Sequence, residues 1–163
     1  MRSKVAAVFL VFALLTGTAN AQVHPGTFKP ETRQAWHVAS WVSVIAVEAA
    51  DTWASWRSPN RKRAFGLQAV RVGGVEASTF LLKKAFPEPR PCTALGACGS
   101  DSPDSGMPSG HMSLACSTVG GPSLGIVIPL DAFTAFGRWA AWRHNPVQLT
   151  VGCIIGILFS RIR

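Results

Sequence analysis

This 163-residue sequence predicts an all-α fold, a compact bundle of about five helices behind an N-terminal export segment. Three observations predict it. From Ala35 onward polar residues recur every three or four positions among Trp, Val, Ile and Ala, the period of a helix packed on one side. The apolar stretches are separated by turns bearing Pro and Gly, and no run alternates at period two for long enough to make a strand. Hydrophobic residues make up 48% of the chain and charged residues 15%, which excludes a disordered chain and leaves room for one domain with an ordinary core.

The elements follow in chain order. Arg2 and Lys4 precede an apolar run from Val5 to Leu15 and the small-residue sequence Thr18-Ala19-Asn20-Ala21, the pattern of a secretory signal peptide cleaved after Ala21. The competing expectation is a short uncleaved anchor, although the apolar run is shorter than the roughly 20 residues of a spanning helix. In both cases residues 1–21 are a targeting segment and residues 22–163 the domain. Residues 22–34, with Pro25 and Pro30 and no periodicity, read as an exposed leader. A first helix is expected over 35–56, with His37, Ser40, Ser43, Glu48, Asp51, Thr52 and Ser55 as its polar positions; the basic turn 57–63 around Pro59-Asn60 ends it. A second runs from Phe65 to Leu82, where Gly73-Gly74 either weakens the helix or admits a close neighbour.

Residues 86–108 hold five prolines and no apolar period, a long loop of the kind that carries function. Three apolar stretches follow: 112–130, interrupted at Gly120-Gly121-Pro122; 132–142, led by Asp131 as an N-cap; and 147–159. Asn145-Pro146-Val147-Gln148 has the form of an N-cap, a proline at the first helical position and a capping-box Gln.

Export places the four cysteines in a compartment that permits disulfides, and an even count suits pairing. Cys92 and Cys98, close together in the loop, are the expected pair. Cys116 and Cys153, in apolar helical stretches, suit a bridge and two buried thiols equally. Their spacings match no zinc site.

The net charge of +8 invites a nucleic-acid reading, but the cations cluster only in the short run Arg57, Arg61, Lys62, Arg63, so nucleic acid is not the expected partner. A membrane is. Residues 113–130 and 146–160 carry no charge, and a membrane bundle would put the basic turn and the tail Arg161-Ile162-Arg163 together on the cytoplasmic side. Glu48, Asp51, Arg71 and Glu76 in the first two helices favour a soluble exported domain instead. The expected location is the inner membrane with a periplasm-facing site, or the periplasm itself.

Three short segments lie at expected helix ends: Lys83-Lys84-Ala85-Phe86-Pro87-Glu88-Pro89-Arg90-Pro91; Pro108-Ser109-Gly110-His111; and Gly137-Arg138 followed, after five residues, by His144. Helices running alternately in and out of the membrane would bring all three to one face. Two histidines, several cations and a Gly-flanked helix start, with no carboxylate pair, suit an oxyanion. Lys83, Arg90 and Arg138 would compensate phosphate charge, and the backbone N–H groups around Ser109 and Gly110 would add donors. One imidazole could attack phosphorus while the other protonates the leaving oxygen.

In this order and at these spacings, the segments resemble the type 2 phosphatidic acid phosphatase and vanadium haloperoxidase superfamily. Its pattern is Lys, six residues, Arg-Pro; Pro-Ser-Gly-His; and Ser-Arg, five residues, His, three residues, Asp. The resemblance covers residues 83–148. It implies that Lys83, Arg90 and Arg138 bind phosphate with Ser109 and Gly110, that His111 is the general acid, and that His144 is the nucleophile forming a phosphohistidine. It also implies hydrolysis of a phosphate monoester or diphosphate, on a phosphorylated lipid or a small ester, without metal or other cofactor. Gly137 stands where the family has Ser, and Gln148 where it has the Asp that orients the nucleophile. A Gln carbonyl accepts the imidazole N–H but cannot stabilise an imidazolium by charge. Gln148 thus raises a second expectation, a relative that binds phosphate or a lipid headgroup without turnover.

Overall fold

The computed structural model describes residues 28–96, 98, 102, 104–120 and 124–162, so the expected signal segment and the first part of the leader lie outside the described residues. The fold is all-α, with five α-helices among the described residues: α1 Pro30–Arg57, α2 Arg61–Ala85, α3 Gly110–Ser117, α4 Leu124–Ala140 and α5 Pro146–Phe159. A 3₁₀ turn, Pro91–Leu95, lies in the long loop between α2 and α3.

Three boundaries differ from the sequence expectation for physical reasons, the first being α2, which begins at Arg61 rather than Phe65 because Asn60 caps it there. α1 begins at Pro30, inside the stretch read as a leader: proline at the first helical position sacrifices no intrahelical bond, and Glu31 complements the helix dipole. The missing apolar period there reflects a first turn with Glu31, Thr32, Gln34 and Ala35 all exposed. α4 runs unbroken through Asp131, which is therefore no N-cap, even though Pro129 removes one backbone donor inside the helix. Packing of Val127 and Ala135 into the core, on either side of Asp131, overrides the local stop-and-start signal. The stretch expected at 112–130 is accordingly split, its first part ending with α3 at Ser117 and its second belonging to α4.

The capped termini match their chemistry. Asn60 caps α2, its side chain accepting the Arg63 N–H at 3.2 Å. Asn145 and Gln148 form the complete capping box on α5: the Asn145 side chain accepts the Gln148 N–H at 2.9 Å, and the Gln148 side-chain Oε1 accepts the Asn145 N–H at 3.2 Å. α2 crosses Gly73-Gly74 without a break, and Gly74 alone of the two provides close approach, admitting the Phe159 ring.

α1 and α4 lie antiparallel. Their contact reads off as Trp36 and Ser40 against Gly137, then the Ser43 and Thr134 hydroxyls bonded at 2.6 Å. α3 and α5 pack closest of all: a side-chain carbon at Gly152 or Gly156 would overlap the Ser109 or Ser113 carbonyl. The Cys116–Cys153 disulfide joins the same two helices, and Cys92–Cys98 closes the loop. Between the pairs sits a core of Val47, Met112, Cys116, Val119, Val127, Ala135, Leu149, Cys153 and Ile157. α2 covers α1, α3 and α5, tied to α1 by the Arg71–Asp51 ion pair. Among the described residues no helix is long and apolar enough to cross a membrane.

Candidate functional site

The C-terminus of α4 sets the site. Two residues past its end Trp142 lies in the left-handed region (φ 59°), so the chain reverses and the N–H groups of Arg143 and His144 return to the Arg138 carbonyl at 3.0 and 3.4 Å. That reversal brings the His144 ring back over the Arg138 side chain, with Arg138 Nη2 lying 3.4 Å from His144 Nε2. Both side chains are buried.

The hydrogen bonds fix the tautomer of His144. Its Nδ1 lies 2.9 Å from the Gly106 carbonyl and 3.3 Å from Gln148 Oε1, both of which only accept, so Nδ1 carries the proton. Nε2 then holds its lone pair towards Arg138. Burial, and then the charges of Arg138, Arg90 and Lys83, hold the imidazole well below its ordinary pKa and keep it neutral.

Gln148 is fully buried and its orientation is set from three sides. Oε1 accepts from the Asn145 N–H and faces His144, while Nε2 donates to the Pro89 carbonyl at 3.2 Å. The amide therefore joins the start of α5, the nucleophile candidate and the Lys83–Arg90 segment. Gly106 is built into the same junction: a side-chain carbon there would meet Gln148 Nε2 at 2.5 Å and the Glu88 and Pro89 carbonyls at 2.8 and 2.9 Å.

Lys83, in the last turn of α2, and Arg90 converge on Ser105. Lys83 Nζ donates to its carbonyl at 2.7 Å; Arg90 Nε and Nη2 donate to its hydroxyl at 3.3 and 3.1 Å. A bridge between Glu88 and Ser105 and the Gly106 N–H to Glu88 carbonyl bond at 2.8 Å lay these two loop strands side by side. Thus both cations reach the site through the loop that also presents the Gly106 carbonyl.

Ser109 is the N-cap of α3, but its hydroxyl makes no capping bond; it is buried without a partner. Its N–H is spent on the Gln148 carbonyl at 3.0 Å, so the cradle's expected backbone donors reduce to those beginning with Gly110, the first residue of α3. His111 follows. Its Nε2 is buried and unpartnered, and its ring meets the edge of Trp41 with centroids 4.0 Å apart. Burial first, then Arg138, His37, Arg90 and Lys83, push its pKa down to about 2. The same three cations thus act on both imidazoles. The eight site residues expected from the sequence, Lys83, Arg90, Ser109, Gly110, His111, Arg138, His144 and Gln148, form one neighbourhood.

Sequence reasoning missed the partners that arrive from elsewhere. His37 of α1 places Nδ1 2.9 Å from Arg138 Nη1; because the guanidinium only donates, that nitrogen is the acceptor. Trp41, Ser105, Gly106 and the Pro89 carbonyl were equally invisible, since they act through backbone carbonyls, a loop hydroxyl and ring stacking that no spacing encodes. Gly137 also has a reason: a side-chain carbon would lie 3.0 Å from Ser40 Cβ and 3.2 Å from the Trp36 carbonyl, so a Ser would push α1, with His37, away from Arg138. Among the described residues no three His, Cys, Asp or Glu side chains gather as metal ligands would. No protein-family model, no curated protein and no solved structure matches this chain.

Proposed function

We propose that the chain is a phosphate-ester or diphosphate hydrolase of the kind its motifs resemble, the type 2 phosphatidic acid phosphatase and vanadium haloperoxidase superfamily, acting at the cell envelope. The observation that carries this reading is the state of His144: a buried neutral imidazole with its proton held on Nδ1 by two acceptors and its Nε2 lone pair beside Arg138. That is the arrangement an in-line nucleophile needs.

In this reaction Lys83, Arg90 and Arg138 bind the phosphoryl oxygens, with the Gly110 N–H and the unpartnered Ser109 hydroxyl as further donors. His144 Nε2 attacks phosphorus and the ester oxygen leaves with a proton from His111, forming a phosphohistidine. Water then attacks that phosphorus, giving its proton to His111, and releases phosphate and free His144. In the absence of bound anion, burial first and then the neighbouring cations keep His111 unprotonated. A phosphate dianion among them reverses the local field and raises its pKa, so binding supplies the condition for general-acid catalysis. The family's hydrolytic chemistry needs no metal. Trp41, against His111, flanks the side on which the leaving group departs.

Gln148 favours a second reading, binding without turnover, because its amide adds no charge to a growing imidazolium. Release of inorganic phosphate decides between the two. The substrates are a panel of lipid phosphates, diphosphates and a soluble aryl phosphate, assayed with chelator on wild type, His144→Ala and Gln148→Asp. Turnover by wild type that His144→Ala abolishes supports the enzyme. No turnover by any variant, with saturable vanadate binding lost in Arg138→Ala, establishes the binding protein.

A further inference from the structure

At the end of α1 and α2 remote from the site, the turn between them carries an unusual surface. Trp53 and Trp56 are 63% and 54% exposed on the last turns of α1. Arg57, Arg61, Lys62 and Arg63 beside them are exposed too, with Pro59 and Asn60 at the tip. The Arg57 guanidinium lies 5.8 Å from the Trp53 ring and that of Arg61 4.9 Å from the Trp56 ring. No acidic residue falls between Asp51 and Glu76, and Asp51 is consumed by its ion pair with Arg71. The turn is therefore a convex tip with four cations around two indoles and no compensating charge.

Neither feature serves the bundle. Exposed indoles of this size contribute little to the core, and four like charges within seven residues repel one another. We infer that the Trp53–Arg63 turn docks on the headgroup region of an anionic phospholipid bilayer. Indoles favour the depth between headgroup and hydrocarbon, and clustered Lys and Arg are drawn to the negative surface potential of acidic lipids. An arginine stacked on each indole lets ring and charge enter the interface together. A nucleic acid fits less well: its bases need open aromatic faces, whereas an arginine already occupies one face of each ring, and the tip offers no groove to follow a strand. From His37 to Trp53 is sixteen residues of helix, roughly 24 Å at 1.5 Å per residue, so docking leaves the phosphate site clear.

The test uses the full chain and extruded vesicles of phosphatidylglycerol with phosphatidylcholine, against phosphatidylcholine alone. Because the N-terminal apolar run could itself hold vesicles, the first readout is residue-resolved: tryptic cleavage at Arg57, Arg61, Lys62 and Arg63, mapped by mass spectrometry. Anionic vesicles should suppress these cuts while neutral vesicles leave them unchanged. The second is vesicle affinity of R57Q/R61Q/K62Q/R63Q. Each cation contributes roughly fivefold, so the quadruple variant should bind on the order of several hundred-fold more weakly, and W53S/W56S should also bind less. Circular dichroism checks that both variants fold. Equal cleavage with and without anionic vesicles overturns the proposal. Protection by a single-stranded oligonucleotide at concentrations where anionic vesicles give none assigns the surface to nucleic acid instead.

Discussion

Replacing Asp131 with Asn should stabilise the protein at neutral and alkaline pH while leaving its stability in acid almost unchanged. Asp131 lies in the middle of α4, 5% exposed, and neither carboxyl oxygen has a hydrogen-bond partner. Burial, and next the charge of Glu48, raise its pKa from 3.8 to about 8. In the unfolded chain the group ionises near its ordinary value; in the folded protein it keeps its proton to about pH 8. Between these limits the unfolded state binds fewer protons, so stability falls as pH rises and levels off above the folded value. A displacement of about four pK units at 1.36 kcal/mol each sets the full loss at about 5 kcal/mol, of which about 4 kcal/mol is reached at pH 7. Asparagine has the same shape and never ionises. Urea unfolding with the disulfides intact, at pH 4 and pH 8.5, should show the variant within about 1 kcal/mol of wild type in acid and more stable by roughly 3–5 kcal/mol at pH 8.5. A difference between variant and wild type that is the same at both pH values would refute the argument. Glu48, raised to about 7 by burial and by Asp51 against the pull of Arg71, should give the same sign and a smaller amplitude as Glu48→Gln.

Three further outcomes are expected. In the proposed reaction His144→Ala abolishes phosphate release, whereas His111→Ala slows an alkyl phosphate on the order of 100-fold more than an activated aryl phosphate, since only the former needs its leaving oxygen protonated; equal slowing of both would remove the general-acid role. Gly152→Ala drives a methyl group into the Ser109 carbonyl, so urea unfolding should show a loss of about 1–3 kcal/mol, with phosphate or vanadate affinity falling alongside as the start of α3 shifts. Cys116→Ala/Cys153→Ala opens a link spanning 37 residues and should cost about 4 kcal/mol in denaturant midpoint measurements, against about 2 kcal/mol for Cys92→Ala/Cys98→Ala, which spans 6.

The fold was legible where local chemistry and packing agree. The Asn145-Pro146-Val147-Gln148 cap names its own geometry, the basic turn 57–63 ends one helix and starts the next, and the loop cysteines pair as their proximity suggests. Asp131 misled because a carboxylate ahead of an apolar run is ordinarily a cap; here the helix passes through it, and the buried carboxyl holds its proton far above its ordinary range. At the site, the eight residues were legible because side-chain type and spacing carry them. The contacts that give them their state were not. His37 meets Arg138 across 101 residues, and His144 is oriented by the backbone carbonyl of Gly106, a group every residue possesses. A sequence records which side chains are present; it does not record which carbonyl a folded loop will aim.

Gln148 illustrates what that difference means for the proposed chemistry. A carboxylate at this position would accept from the Asn145 N–H and from His144 as the amide does, but it would turn a second acceptor towards the Pro89 carbonyl, where Nε2 now donates at 3.2 Å. The amide thus secures the segment that carries Lys83 and Arg90 at the expense of charge beside the nucleophile. The two demands conflict within one buried side chain, and in this chain the cradle is favoured. What remains to stabilise a positive His144 are the dipoles of the Gly106 carbonyl and the Gln148 amide and the bound phosphate itself, since Arg138, Arg90 and Lys83 all oppose that charge. A nucleophile so placed acquires its favourable field only after the anion has entered. The proposed reaction therefore depends on tight phosphate coordination, and the residues that position the cations, Ser105 and His37, bear on its rate as directly as those that touch phosphorus.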